Sequence, residues 1–432
     1  MSIALEPQQE QKPLTPPALR PRPPLGLGAV LIGEEEEALV LDVLRRKELF
    51  RYYGPDRNAR PQMASTLERE FAERVGVRYA LAVSSGTAAL ECALAALGIG
   101  PGDEVILTAW SWISCFTAVV RLGALPVLAE IDTTFSLALG EITRLRTERT
   151  KAVLIVHYQG VASDMDPLLE EAKAAGIAVL EDCSQTPAAF YHGRPVGSMG
   201  TIATYSLQYS KSVTCGEGGM VLTDDPLLYE RAVRMSDVGM VRPYHLDVLE
   251  GETQATSFCG SNYRLTELQA AVALAQLRKV DGLMARCRQI QARILERISD
   301  LSGLTLRRVP DPTGDQGFEI YFGLPTPELA TAFHSQLNAL NVHCNQMSVG
   351  YCQYSRPYCQ TREAHHPAAS PFAQFAEWPA PGYRAQDFPH TETLVRRFVA
   401  LPLGVLFTLE DADYIGEAVR YVHAKLLSGQ EA

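Results

Sequence analysis

The sequence lacks the features of a membrane protein or of a secreted, disulfide-linked protein. No stretch approaches the roughly 18 consecutive apolar residues that a membrane-spanning helix needs. The N-terminus MSIALEPQQEQKPL has neither the basic start nor the apolar run of a signal peptide. The nine cysteines are scattered and form no CxxC pair, so no metal site is predicted. These absences predict a cytoplasmic protein with reduced thiols.

Positive charge is also scarce in this chain. Lys and Arg number 39 against 50 Asp and Glu, which gives a net charge of −11. This balance argues against a nucleic-acid partner or an anionic membrane surface. The 432 residues, of which 47% are hydrophobic, suffice for a large core and predict one large and one small domain.

Proline is concentrated at the N-terminus. Residues 6–26, EPQQEQKPLTPPALRPRPPLG, contain seven prolines, so residues 1–28 are predicted to form an extended, disordered arm. A helix is predicted next at GEEEEALVLDVLRRKEL, because acids in its first turn and bases in its last suit the helix dipole.

Strands and helices alternate from about Val77 onward. Apolar strands such as DEVILTAW, KAVLIVHY and IAVLEDCS are separated by helical segments such as TAALECALAAL. This alternation predicts an α/β fold with a mainly parallel central sheet covered on both faces. A long helix, TELQAAVALAQLRKVDGLMARCRQIQARILERI, and a weaker pattern follow. We therefore expect a large domain over residues 29–284 and a smaller C-terminal domain over residues 285–432.

A single lysine, Lys211, stands between a strand and the glycine-rich stretch TCGEGGMVLTDD. A phosphate-binding P-loop would need glycines where Ser206 and Ser210 stand, so that interpretation is rejected. A solvated surface lysine remains the simplest alternative. It requires three other features of the sequence to be coincidental.

Those three features are each predicted to lie where a strand ends. Asp182 ends the strand in VLEDCSQ, where it could pair with a protonated ring nitrogen or cap a turn. Residues 84–87 (SSGT) join a strand to a helix N-terminus, which could bind phosphate or simply form an N-cap. Trp112 could stack on a flat heterocycle, whereas core packing is favoured for Trp110.

A lysine, a strand-end aspartate, a phosphate cup and an aromatic plate together describe a site for pyridoxal 5′-phosphate. In such a site the lysine forms a Schiff base with the cofactor, and the aspartate keeps the pyridine nitrogen protonated. The glycines after Lys211 would let a tight loop return the chain to a strand beside the cofactor.

Three segments resemble the DegT/DnrJ/EryC1/StrS aminotransferases: SSGTAAL, the stretch from EDCSQ to GGMVLTDD, and SNYRLTELQAAVALAQL. The resemblance covers residues 33–280 and implies a fold-type I enzyme with an α+β C-terminal domain. It implies Lys211 as the catalytic acid/base. It implies that the other cofactor-binding residues are Gly86, Thr87, Trp112, Asp182, Gln185, Ser206 and Asn262. Because the Asn262 position reaches the neighbouring subunit's phosphate in this family, a homodimer with shared sites is implied.

The resemblance implies transfer of an amino group from L-glutamate or L-glutamine to a keto-cyclitol of the scyllo-inosose type or to a keto-sugar. Gln185, in place of a more common histidine, resembles the cyclitol branch. A nucleotide-linked 3- or 4-keto-6-deoxy sugar is the alternative acceptor. Its diphosphate would need basic residues at the mouth of the site, for which Arg51, Arg57, Arg60 and Arg356 are candidates.

Two further classes and a set of substrate residues complete the predictions. A sugar dehydratase of this family would carry histidine in place of Lys211, and a non-catalytic regulatory protein would not need the complete cofactor set. Tyr52 and Tyr53 are predicted to cover the substrate or to pack in a turn. The segment with Tyr351 and Arg356 departs from the usual substrate-binding pattern and is predicted to contact the acceptor.

Overall fold

The computed structural model describes residues 15–52, 62–374 and 383–427. Thirteen strands are found in this part of the chain. They are β1 Tyr79–Val83, β2 Glu104–Thr108, β3 Leu125–Ala129, β4 Thr150–Val156, β5 Ala178–Asp182, β6 Phe190–Tyr191, β7 Arg194–Pro195, β8 Ile202–Ser206, β9 Gly219–Thr223, β10 Thr305–Leu306, β11 Glu319–Gly323, β12 Asn345–Gln346 and β13 Phe398–Pro402.

The same residues form fourteen α-helices. They are α1 Glu34–Arg46, α2 Met63–Val75, α3 Gly86–Ala96, α4 Ser114–Arg121, α5 Glu141–Leu145, α6 Met165–Ala175, α7 Pro226–Ser236, α8 Pro243–Val248, α9 Glu267–Ile298, α10 Pro327–Ala339, α11 Pro357–Thr361, α12 Pro371–Gln374, α13 Pro389–Arg397 and α14 Leu409–Leu426. None of these helices combines the length and apolar character needed to cross a bilayer.

The central sheet has seven strands in the order β1-β9-β8-β5-β4-β2-β3. All neighbours pair in parallel except β9, which runs antiparallel to both β1 and β8. Alternate residues of β1 belong to different cores: Ala80 and Ala82 to one, Leu81 and Val83 to the other. The sheet is therefore covered on both faces, and the predicted mainly parallel α/β fold is confirmed.

This topology gathers several strand ends at one edge of the sheet. The carboxyl ends of the parallel strands β2, β4, β5 and β8 point the same way, and β1 shares that direction because β9 reverses between them. Loops that are far apart in sequence thus meet at this edge, which is where ligands bind in open α/β sheets.

A smaller antiparallel sheet follows, with strand order β10-β11-β13-β12. Helix α9 connects the two parts as one continuous helix. Leu283 and Met284 join the core of the large sheet, whereas Ile290 and Ile294 join the C-terminal core. The domain boundary predicted after residue 284 falls inside this helix, close to where its packing partners change.

The proline-rich segment from residue 15 is extended, as expected, but it is held against the folded body. Arg20 forms an ion pair with Glu410 at 3.2 Å, and the Gly26 carbonyl accepts a hydrogen bond from the Val405 N–H at 3.1 Å. The Gly28 N–H donates to the Lys211 carbonyl at 3.3 Å. The expected disorder is wrong for residues 15–28, because these contacts fix the segment to both parts of the molecule. Residues 1–14 lie outside the described residues.

Candidate active site

A cavity of about 780 Å³ opens at the carboxyl edge of the large sheet. The loops after β2, β4, β5 and β8 contribute residues 110–112, 158–159, 184–185 and 209–212. The small domain contributes residues 318–319, 321, 345–348 and 351, and the N-terminal segment contributes residues 25–27 and 29–30. The cavity therefore lies between the two domains, with the N-terminal segment along one side.

Lys211 lies in a tight turn after β8. Its N–H donates to the Gln208 carbonyl at 2.9 Å, and the chain returns through Gly216, whose φ of 86° favours glycine. Burial lowers the pKa of Lys211, and the nearby Asp182 and Cys115 oppose that shift in part. A lysine with a lowered pKa is more readily deprotonated, as an amine nucleophile and proton acceptor requires.

Asp182 ends β5 and is 5% exposed. One carboxylate oxygen accepts the Ser184 N–H at 2.9 Å, which is the turn-capping role that the sequence left open. The other accepts the Cys115 thiol at 3.3 Å. Burial and the Asp182 charge hold the pKa of that thiol well above its usual range, so it remains a donor. The Asp182 charge is close enough to Lys211 to oppose the lowering of the Lys211 pKa by burial.

A buried pair directly behind Asp182 fixes the end of β5. His157 Nε2 lies 2.9 Å from Glu181 Oε2, and His157 Nδ1 accepts the Ser163 N–H at 3.0 Å. Burial alone would raise the pKa of Glu181, but hydrogen bonds from His157, Gly197 and Gly200 lower it. Cys183 completes a group whose potential metal-ligand atoms lie within 4.8 Å of one another. The His157 and Glu181 atoms already hydrogen-bond to each other and to backbone N–H groups. We therefore interpret His157, Glu181 and Cys183 as structural residues and not as metal ligands.

The phosphate cup was predicted at the N-terminus of α3. Ser85 is the N-cap, and its hydroxyl accepts the Ala88 N–H at 3.0 Å. Gly86 and Thr87 occupy the first turn, where N–H groups have no acceptor within the helix. A Cβ atom at Gly86 would lie 2.7 Å from Ser206 Cβ, so only glycine permits this close approach of α3 to β8. Both Gly86 and Ser206 therefore lie at the same cup.

Trp112 and Gln185 both line the cavity, as predicted for cofactor contacts. Trp112 is 56% exposed, whereas Trp110 is 3% exposed and packs in the core, as the sequence favoured. Gln185 Oε1 accepts the Gln159 N–H at 3.2 Å. The aromatic face of Trp112 is consequently available to a flat ring.

Asn262 lies beside the cup but faces outward. Its neighbour Tyr263 accepts the Ser84 N–H at 2.7 Å through its carbonyl, which ties this segment to the end of β1. Asn262 itself is exposed, and its Oδ1 accepts the Arg264 N–H at 3.4 Å. It does not line the cavity of its own chain, so its expected role at a neighbouring subunit's site stays a prediction.

Tyr52 corrects one prediction. The side chain is 6% exposed, its hydroxyl lies 2.8 Å from His245 Nε2, and it does not line the cavity. The idea that Tyr52 covers the substrate is wrong for the cavity of this chain, because a buried phenol finds its hydrogen-bond partner in the core instead. Tyr53, Arg57 and Arg60 lie outside the described residues.

Neither of the two described arginines that were expected at the mouth of the site lines the cavity. Arg51 is buried and paired with Glu68 at 2.5 Å, so it is not a phosphate ligand of this cavity. Arg356 lies 5.5 Å from the ring centroid of Tyr351 without lining the cavity. Tyr351 lines the cavity and is 49% exposed, which fits its predicted contact with substrate.

Sequence reasoning missed a polar group on the small-domain side of the cavity. Glu319 and Tyr321 are two residues apart on β11 and so share one face of that strand, and Tyr158 follows β4. All three residues line the cavity. Burial raises the pKa of Glu319 to about 7, against opposing effects of a hydrogen bond from Tyr321 and the charge of Arg307. The two-residue spacing in EIY was the only sequence signal, and it is weak because any half-buried strand shows it.

The fold and this site define a fold-type I pyridoxal-phosphate enzyme. The N–H groups at the start of α3, the Asp182 carboxylate at the end of β5 and the Lys211 amine after β8 are the groups that would hold the phosphate, ring and carbonyl ends of that cofactor. The profile of the DegT/DnrJ/EryC1/StrS aminotransferase family matches residues 32–420, and the chain belongs to this family.

Similar curated proteins act on cyclitols and sugars. The chain is 37% identical over 284 residues to an L-glutamine:scyllo-inosose aminotransferase of Streptomyces griseus, covering 65% of this chain and 66% of that protein. It is 39% identical over 226 residues to a GDP-perosamine synthase of Escherichia coli O157:H7, covering 52% and 59%. The match thus spans less than two thirds of the length of each of these two relatives.

Solved structures match over nearly the whole chain. A 3-amino-5-hydroxybenzoic acid synthase has a TM-score of 0.74 at 26% identity, covering 95% of this chain and all of that one. DesV of S. venezuelae, solved with a ketimine intermediate, has a TM-score of 0.73 at 29% identity, covering 93% and 98%. The cofactor of this family is pyridoxal 5′-phosphate.

Proposed function

We propose that this protein is an aminotransferase that moves an amino group from L-glutamine or L-glutamate to a cyclic ketone. The observation that carries the proposal is that Lys211 lines the cavity and lies close enough to Asp182 for their charges to interact. The N-terminus of α3 and Ser206 lie at the same edge of the sheet, outside the residues that line the cavity. Pyridoxal phosphate, when bound, supplies the electron sink for carbanion chemistry. The protein supplies the proton transfers and the fixed geometry.

Each residue of the site has a distinct task in this proposal. The N–H groups of Gly86 and Thr87, with the Ser206 hydroxyl, hold the phosphate. The Asp182 carboxylate holds a proton on the ring nitrogen, and the Cys115 thiol fixes one carboxylate oxygen. Lys211 Nζ takes the proton from the Cα of the donor and returns a proton to the acceptor carbon. Its lowered pKa supports the proton-accepting role.

A keto-cyclitol of the scyllo-inosose type is the acceptor we favour. Support comes from the 37% identical scyllo-inosose enzyme and from the charge of the cavity. Among the described residues that line it, Lys211 is the only cationic side chain, which suits a neutral ketone better than a diphosphate. A nucleotide-linked keto-sugar is the second candidate, supported by the 39% identical perosamine synthase.

The test is a turnover assay with purified protein loaded with pyridoxal phosphate. L-glutamine and L-glutamate are each supplied with scyllo-inosose or with a nucleotide-linked 4-keto-6-deoxy sugar. Amine formation from scyllo-inosose is expected with at least one donor. Preference for the nucleotide sugar would replace the favoured acceptor by the second one, and no amine from either ketone would overturn the proposed function.

We also propose that the enzyme works as a cytoplasmic homodimer with shared sites. Asn262 is exposed beside the cup, and the adjoining Val238 and Met240 are 50% and 41% exposed. Val238 donates its N–H to Ser261 at 2.9 Å, so these apolar side chains flank Asn262. An apolar surface of this kind suits a subunit contact. All nine cysteines are described, and all are free thiols, which suits a reducing compartment.

Mixing inactive variants tests the shared site. Lys211→Ala removes the lysine of one site, and Asn262→Ala weakens phosphate binding in the partner's site. If sites are shared, mixed dimers keep one site with both groups, and activity should return on mixing. Absence of any recovery in mixtures that sedimentation shows to be dimers would contradict sharing.

A further inference from the structure

The small-domain side of the cavity carries an acid that the proposed proton transfers do not use. Glu319 begins β11 and is half-buried, and it is the only carboxylate among the described residues that line the cavity. Tyr321, two residues along the same strand, donates its hydroxyl to Glu319 Oε2 at 2.5 Å. The acid is therefore held in place and still faces the cavity.

A buried arginine supports this group from behind. Arg307 donates to the carbonyls of Thr134 and Tyr158, each at 2.6 Å, and to that of Gln159 at 3.3 Å. Its guanidinium carbon lies 5.2 Å from the Tyr321 ring centroid and 5.5 Å from that of Tyr158. The guanidinium thus contacts backbone carbonyls and aromatic rings and makes no hydrogen bond to Glu319. Oε1 of Glu319 is left for a ligand, because Oε2 accepts the Tyr321 hydroxyl.

We propose that Glu319, oriented by Tyr321, recognises ring hydroxyl groups of the keto acceptor. This inference rests on the proposed aminotransferase function and specifies which groups of the substrate the cavity recognises. A carboxylate accepts hydrogen bonds strongly and offers no donor, so it suits a hydroxyl and disfavours a nearby phosphate or carboxylate. The Tyr158 hydroxyl, in the same part of the cavity, adds a second polar contact.

The ionisation of this acid fits such a role. Burial raises the pKa of Glu319 to about 7. The groups facing it are Tyr321 on its own strand, Tyr158 after β4 and Arg307 before β11, with Lys211 in the same cavity. The pKa of both tyrosines is raised by burial, so they stay neutral hydroxyl donors. The carboxylate forms as pH rises through about 7, and the KM for a hydroxylated acceptor should fall over that interval.

The two half-reactions separate this role from a structural one. The donors carry no ring hydroxyls for Glu319 to recognise, so loss of Glu319 should not weaken their binding. The acceptor half-reaction should depend on it. The test compares wild type with Glu319→Gln, Glu319→Ala and the control Glu328→Gln, which removes an exposed charge in the same domain, on α10. Cofactor absorbance of each variant reports that the site is folded.

We expect Glu319→Ala to raise the KM for scyllo-inosose by about tenfold or more, as loss of a hydrogen bond to a charged group would. Conversion of the cofactor by L-glutamine should change less than about twofold, on the scale where surface changes lie. Glu319→Gln should have a smaller effect and should flatten the pH dependence near 7. A monodeoxy analogue of the ketone that lacks the recognised hydroxyl should bind wild type and Glu319→Ala equally.

Three results would overturn the inference. The acceptor KM could stay unchanged in Glu319→Ala, the donor half-reaction could slow to the same degree, or the variant could retain wild-type discrimination against every monodeoxy analogue. Failure of the wild type to aminate either ketone class would overturn the proposed function itself. That failure is distinguishable because it does not depend on the variants.

Discussion

The two sides of the cavity are built on different principles. The large-domain side uses the ends of parallel strands and a helix N-terminus, and backbone N–H groups or a neighbouring thiol contact its functional groups. The small-domain side uses one face of an antiparallel strand and carries an acid whose pKa is raised. On the proposed function, the first arrangement would hold the cofactor and the second would contact the substrate. The proposal thus assigns reaction type and substrate choice to different domains.

The largest expected effect comes from removing the lysine on the large-domain side. Lys211→Ala should lower kcat by about 10⁴-fold, the upper range for loss of a positioned acid/base. Added cofactor should not restore activity. Lys173→Ala, on the exposed face of α6, is the control and should keep wild-type turnover. Steady-state rates with saturating donor and ketone measure both. A Lys211→Ala enzyme with more than a tenth of wild-type activity would contradict the assigned role.

Asp182 should come next. Asp182→Asn preserves the size of the side chain and its contact with Ser184 but removes the charge that holds a proton on the ring nitrogen. A lost stabilisation of ~2.7 kcal/mol corresponds to about 100-fold in kcat. The same variant should leave KM for the acceptor nearly unchanged, because the small-domain side is untouched. A large change in acceptor KM with unchanged kcat would show that the two sides do not divide the work.

Close packing at the cup gives a smaller effect. Gly86→Ala places a Cβ atom 2.7 Å from Ser206 Cβ, so α3 must shift away from β8. We expect cofactor affinity to fall about tenfold, equivalent to ~1.4 kcal/mol. Gly282→Ala is the matched control, since nothing lies within 4 Å of its Cβ in helix α9 and the change should stabilise the protein slightly. Equal cofactor dissociation constants for both variants would remove the argument for a required glycine.

The smallest effect concerns stability on the small-domain side. Burial raises the pKa of Glu319 from 4.5 in the unfolded chain to about 7 in the folded protein. The folded state therefore binds this proton more tightly. Its contribution to stability is therefore favourable at low pH and is lost as pH rises through about 7. Glu319→Gln should raise the free energy of unfolding by about 1 kcal/mol at pH 8, because partial exposure to solvent reduces the cost of the charge, and should change it little at pH 5.

Urea unfolding at the two pH values measures this difference. If the difference in free energy of unfolding between Glu319→Gln and wild type were the same at both pH values, burial would not disfavour the charged acid in the folded protein. The combination of greater stability with poorer acceptor binding would instead mark Glu319 as a residue retained for function.

Sequence reasoning reached the large-domain side because local signals converge there. Lys211, Asp182 and Gly86 each lie at a strand end or helix start that the sequence pattern already indicates, and the parallel sheet brings those ends together. The family resemblance then assigned their roles. Such positions follow from topology alone.

The small-domain side resisted prediction because its properties arise from distant packing. The pKa of Glu319 depends on burial and on Arg307 and Tyr321. Tyr52 was misassigned for the same reason, since its hydrogen-bond partner His245 is 193 positions away. The N-terminal segment was expected to be disordered because it is rich in proline. Its composition does not reveal the ion pair of Arg20 with Glu410 on the C-terminal helix.

The most direct test of the central claim is the visible spectrum of the purified protein with added pyridoxal phosphate, before and after L-glutamine or L-glutamate. The account predicts a visible band of the lysine-bound cofactor that is absent in Lys211→Ala. It also predicts that at least one donor bleaches this band. A wild-type protein without the band would contradict the role of Lys211, and a band unaffected by both donors would contradict transamination.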